Sequence, residues 1–236
     1  MTSFLLEKEP TIQKLQTYLS EQTLFSFSDV KGHSFDFYNE ANNKVLKFGL
    51  PLSFAVPVEN ESFASYLNRQ KGNETPQKGL LILIQAGEAA IGVFTANNIE
   101  QYKVIRKYMV RKKQGKAQVL HLKTKGKSRA GSRIRLSQTI SFFEEINEQL
   151  SNYINDFGAD LIVYGISPAL KSLWYNSAVK IPFDNDDFRL RKANWTIGLP
   201  RKETLEKGLW HIYSARISIF DEQYTTEIKS LLEHEL

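Results

Sequence analysis

Gly115 and Gln118 stand inside the most basic stretch of this 236-residue chain. From Gln101 to Phe143 there are thirteen Lys or Arg and no Asp or Glu. A glutamine amide does not titrate near neutrality, so Gln118 is no general base. Its uses are to hydrogen-bond, to orient a water, or to help bring a backbone N–H to a developing negative charge. Small residues at Gly115 and Ala117 let that backbone approach a substrate closely. His121, three residues on, is the titratable neighbour and a candidate acid or base. The candidate cations are Lys107, Arg111, Lys112, Lys113, Lys116, Lys123, Lys125, Lys127, Arg129, Arg133 and Arg135. An uncompensated run of this kind calls for a polyanion, and RNA or DNA is the obvious one. If six to ten of these side chains neutralise phosphates, affinity falls by roughly 10³–10⁵ between about 50 and 200 mM salt. A Gly-x-x-Gln alone is a weak pattern, and its weight here comes from standing in a cationic loop that follows a strand.

The rest of the chain is acidic. Of the 31 Lys and Arg, eighteen lie outside the run, against all 26 Asp and Glu. This dipolar layout favours one polyanionic partner docked at one face. There is no cysteine, which excludes a disulfide framework, thiolate metal ligation and a Cys nucleophile and fits a reducing compartment. The N-terminus lacks a basic lead-in to an apolar run, and "GLLILI" is too short to span a bilayer, so the expectation is a cytoplasmic protein with no membrane partner. His33, His121, His211 and His234 are scattered and form no metal-ligand pattern. No phosphate-binding glycine loop is present, and no nucleotide, metal or other cofactor is expected. Asp160 with Asp184, Asp186 and Asp187 raises a two-metal nuclease as an alternative, although Asp187 is expected to pair with Arg189 or Arg191 in a polar turn.

The elements that must carry the basic stretch follow from periodicity. Pro10 to Leu19 repeats apolar residues at helical spacing. "HSFDFYN" and "VLKFGLPLSFAVPV", the latter interrupted by Gly and Pro, read as strands, and "ESFASYLNRQ" is a short helix. "GLLILIQAGEAAIGVF" is a hairpin turning at Ala86, Gly87 and Glu88, followed by a third strand in "QYKVIRKYMVRK". A basic loop over 112–131 comes next. The spacing then predicts an amphipathic helix capped by Ser137, with Ile140, Phe143, Ile146, Leu150 and Ile154 buried and Gly158 ending it. "ADLIVYGI" reads as an interior strand, "PALKSLWYN" as a helix opening on Pro168, and a further helix starts near Lys202. Trp174, Trp195 and Trp210 are expected in the core, with base stacking by Trp174 or Tyr175 as the alternative. The fold expected is α/β, a mixed central sheet flanked by helices. Residues 1–78 form an N-terminal part of the same fold, and 79–236 the part with the basic loop.

The order and spacing of these residues resemble the Vms-like release factor family, the catalytic domain of the ankyrin-repeat and zinc-finger peptidyl-tRNA hydrolases. That family is in turn similar to the middle domain of eukaryotic and archaeal class I release factors, which carries a Gly-Gly-Gln loop. The resemblance runs from Gly79 to about Ser214. It rests on the hairpin, on Lys107, Tyr108, Arg111, Lys113, Gly115 and Gln118, on Ala130-Gly131-Ser132, and on Asp187-Phe188-Arg189-Leu190 followed by Arg201 to Thr204. Lys116 stands where a second glycine often occurs, Phe188 replaces a proline, and Arg135-Leu136-Ser137-Gln138 replaces a more polar run. The chain looks like a minimal, bacterial-type member.

The resemblance implies a release-factor middle-domain, ribonuclease H-like architecture. It also implies release of nascent chains from peptidyl-tRNA on the ribosomal large subunit, by a protein that is monomeric off the ribosome. Two chemistries are open: water attack on the peptide–tRNA ester, or phosphodiester cleavage near the tRNA 3′ end driven by a ribose 2′-hydroxyl. Gln118 is central to the first, and Arg111, Lys112 and Lys113 would stabilise charge in the second. A ribosome- or tRNA-binding factor without catalysis is the alternative from another class.

Overall fold

A computed structural model of the chain describes residues 2–6, 9–71, 78–95, 98–107 and 128–232, with the side chains of the last stretch described from Ser137 on. The α/β class holds: helices flank two five-stranded sheets. The chain divides into two compact units, residues 1–76 with 210–236, and residues 77–209.

The first unit contains β1 (Thr2–Leu6), α1 (Glu9–Glu21), β2 (Phe25–Asp29), β3 (Ser34–Tyr38), β4 (Lys44–Gly49), α2 (Phe63–Gln70), β10 (Ala215–Ile219) and α6 (Glu222–Leu232). Its sheet has the order β1-β10-β4-β3-β2 and is antiparallel throughout. In β3 the period of two buries Phe35 and Phe37 and turns Asp36 outward to Lys44 at 2.7 Å. Phe63 of α2 packs on Phe35, Phe37 and Phe48 with ring centroids 5.1, 5.3 and 5.8 Å away. β2 reverses the usual alternation, with Phe25 and Phe27 61% and 54% exposed. Its two serines face the core side because they serve backbone there: Phe63 N donates to Ser26 Oγ at 2.9 Å, and Ser28 Oγ donates to Val58 O at 2.6 Å. Neither β1 nor β10 stands out in the sequence. Each is five residues long, and they pair with one another from Thr2↔Ile219 to Leu6↔Ala215.

The second unit contains β5 (Lys78–Gln85), β6 (Glu88–Thr95), β7 (Asn98–Arg106), α3 (Ser128–Phe157), β8 (Leu161–Ile166), α4 (Pro168–Tyr175) and β9 (Leu190–Lys192). α5 (Lys202–Tyr213) carries the chain from this unit into the first. The β5–β6 hairpin turns at Ala86-Gly87, and Gly87 takes φ 85°, a value that glycine adopts without a Cβ clash. The sheet order is β7-β6-β5-β8-β9, so β8 lies inside the sheet, parallel to both neighbours. Ile82, Ile91 and Ile105 meet Phe142, Ile146, Leu150 and Tyr153 of α3 in one cluster. The opposite face is covered just as closely: a Cβ on Gly208 of α5 would come within 2.6 Å of Leu81, and one on Gly165 of β8 within 2.1 Å of Ile197.

Helix α3 departs from expectation at its start. It begins at Ser128, not at Ser137, so residues 128–131 of the expected loop are helical. Its buried face is Phe142, Phe143, Ile146, Leu150 and Tyr153, and Ile140, expected inside, is 48% exposed. The reason is angular: Ile140 lies about 100° around the helix from the line through Ile146 and Leu150. Gly158 ends the helix at φ 67°, its N–H donating to Ile154 O at 2.9 Å. Trp174 is fully buried, which removes it as a base-stacking platform, whereas Trp195 is half-buried and Trp210 is 38% exposed. Among the described residues no helix is long and apolar enough to cross a membrane.

Candidate functional site at the carboxyl edge of the second sheet

The pairings of the second sheet fix a common direction. β6 is antiparallel to both β5 and β7, and β8 and β9 run parallel to β5. Four strands therefore end along one edge, at Gln85, Arg106, Ile166 and Lys192. In open α/β sheets, ligands bind outside the carboxyl ends of the strands. The described chain leaves this edge at Lys107 and resumes at Ser128.

Lys107 is the expected RNA contact whose side chain is described. Its backbone N–H donates to Gly87 O at 2.9 Å, tying it to the β5–β6 turn. Its ammonium donates to Ser141 O at 3.2 Å and to Ser141 Oγ at 2.5 Å, and reaches Glu145 Oε2 at 2.8 Å. Arg106, before it, is more open, with Glu88 at 3.7 Å. Gln85, at the end of the central strand β5, donates from Nε2 to Ile197 O and Gly198 O at 3.1 and 3.0 Å. Gly115, Gln118, His121, Arg111, Lys112, Lys113, Lys116, Lys123, Lys125 and Lys127 lie outside the described residues. Arg129, Arg133 and Arg135 belong to α3 by their backbone, the first two one helical turn apart.

The acidic alternative does not assemble. Asp187 accepts from Arg189 Nε at 3.0 Å, from Arg189 Nη2 at 2.7 Å and from the Arg189 N–H at 2.9 Å. Arg189 in turn donates to Ala159 O at 3.1 Å. The guanidinium hydrogen bond holds the Asp187 carboxyl below its ordinary value. Asp160, Asp184 and Asp186 are exposed, and no three His, Cys, Asp or Glu side chains group as metal ligands among the described residues. The Asp187–Arg189 pair instead launches β9: Leu190 N–H donates to Asp187 O, and Ile162 N–H to Arg189 O, both at 2.9 Å. Phe188 between them is 84% exposed. His33 is buried with Nε2 2.9 Å from Pro51 O, and burial pushes His211 below its ordinary range. His234 lies outside the described residues.

Sequence reasoning missed Ser141, Glu145 and Gln85. Glu145 carried a signal, since it is among the first carboxylates after the basic run. Asn147 was missed as well: fully buried, it accepts from Trp174 Nε1 and donates to Val179 O, both at 2.7 Å.

A solved structure described as the Vms1 mitochondrial localization core superposes with TM-score 0.42 at 11% identity, covering 92% of this chain and 85% of that one. No curated protein sequence matches. Residues 79–219, from β5 to the end of β10, match the model of the Bacteroidetes VLRF1 release factor family. More than half of the chain is matched, and the chain belongs to that release factor family.

Proposed function

We propose that this protein frees nascent chains from peptidyl-tRNA on the ribosomal large subunit, with Gln118 of the basic segment at the reacting ester. The observation that carries the reading is a Gly115-x-x-Gln118 inside a run of thirteen Lys and Arg with no Asp or Glu among them, in a chain that belongs to a release factor family. The shared carboxyl edge of β5, β7, β8 and β9 supports it, because ligands of open α/β sheets bind outside the carboxyl ends of the strands. The cations bind phosphate, and the glutamine orients water or helps to stabilise the oxyanion. Gly115 lets the backbone come close, and His121 is the group within the segment that can move a proton.

The test uses ribosome-bound peptidyl-tRNA labelled on the peptide and on the tRNA 3′ end, with wild type and Gln118→Ala, each with and without chelator. The expected result is peptide release that survives chelation and drops by about 10²–10³ in the variant, the size seen when one oxyanion-stabilising donor is removed. An intact 3′ end reports ester hydrolysis, and a shortened one reports RNA cleavage. Binding to the subunit without release by the wild type overturns the reading in favour of a docking factor.

A further inference from the structure

An ammonium group has three N–H donors; at Lys107 it donates to Ser141 O and Ser141 Oγ of α3 and forms an ion pair with Glu145 Oε2 of the same helix at 2.8 Å. The backbone N–H of the same residue is taken by Gly87 O. The side chain is 25% exposed. A lysine placed to receive phosphate keeps donors toward solvent, as its neighbour Arg106 does at 59% exposure.

We propose that Lys107 is a positioning residue and not an RNA contact: it clamps the end of β7 and the β5–β6 turn to α3. Those are the elements from which the described chain leaves the sheet and to which it returns. The proposal rests on the release reading above for its functional consequence. The geometry behind it is independent of that reading, because both anchors, Gly87 and Ser141–Glu145, lie within the described second unit.

The test compares wild type, Lys107→Met, Glu145→Gln and the double variant. Each protein is assayed for single-turnover peptide release at saturating protein and for the salt dependence of ribosome binding. A clamp predicts that each single variant loses about tenfold or more in release rate, within the roughly hundredfold that misplacing a reacting group can cost. It predicts a double variant no worse than either single one and a salt slope unchanged from wild type. An RNA contact predicts the opposite: Lys107→Met weakens binding and lowers the salt slope by about one, Glu145→Gln changes nothing, and the proposal falls. Additive losses also overturn it. If the wild type releases nothing, the release reading fails, and the clamp is then decided by hydrogen exchange at the Lys107 amide. Faster exchange in both single variants supports the clamp, and unchanged exchange overturns it.

Discussion

Residue by residue, several polar side chains of the second unit serve the scaffold. Asn147 and Trp174 satisfy one another in the core, and Asp187 with Arg189 holds the entry to β9. The Asp187 pair carries a pH signature. Its carboxyl lies below the ordinary value because of the Arg189 hydrogen bond. A depressed folded-state value contributes stability above the unfolded value, about pH 4, and loses it as pH falls through the lower folded value. Asp187→Asn is therefore expected to lower the melting temperature at pH 7 and to match wild type increasingly closely below about pH 4. Thermal unfolding across that range checks it, and a gap that persists at the acid end contradicts it. The same pair accounts for an acidic run that reads in sequence like metal ligands and is a buttressed turn in the structure.

At the level of elements, the carboxyl edge depends on β5 and β8 lying side by side. Gly79 makes this possible, since a Cβ there would stand 2.2 Å from Leu161 O and 2.7 Å from Phe94. The obstacle in β8 is backbone and cannot rotate away. Gly79→Ala is expected to destabilise the protein by about 1–3 kcal/mol, the usual range for overpacking, measured by denaturant unfolding. A variant as stable as wild type would mean that the two strands do not approach this closely. Helix α3 is the second determinant. Its first turns take up residues 128–136, so part of the basic run has helical backbone. Periodicity could not show this, because apolar spacing begins only where the helix meets the sheet. Gly131 also lowers the helix propensity of that stretch.

For the molecule as a whole, the two ends of the chain meet in one sheet. β10 lies between β1 and β4, and Ala215, Ile217, Ile219, Ile228 and Leu232 are buried in the first unit's core. A chain stopped after Tyr213 loses β10 and α6 together and leaves both β1 and β4 with open edges. Such edges invite association. The expected outcome is loss of the first unit's cooperative unfolding transition and aggregation on size-exclusion chromatography. A monomeric product with an intact transition would contradict it.

The sequence by itself determined what depends on local pattern. The charge asymmetry, the β5–β6 hairpin, the interior strand β8, the body of α3 with its Gly158 stop, and the Gly115–Gln118 pattern that resembles a release factor are all written in neighbouring residues. Period, turn chemistry and charge act over a few positions. Tertiary structure decided the closure of the first sheet by its two ends, the early start of α3, and the partners of Lys107. β1 and β10 are each too short to announce themselves, and they become strands by pairing across the length of the chain. Lys107 looks like one more cation in a basic run. Only the packing of β7 against α3 brings Ser141 and Glu145 to its ammonium, because an ion pair is chosen by distance in space and not by order in the chain.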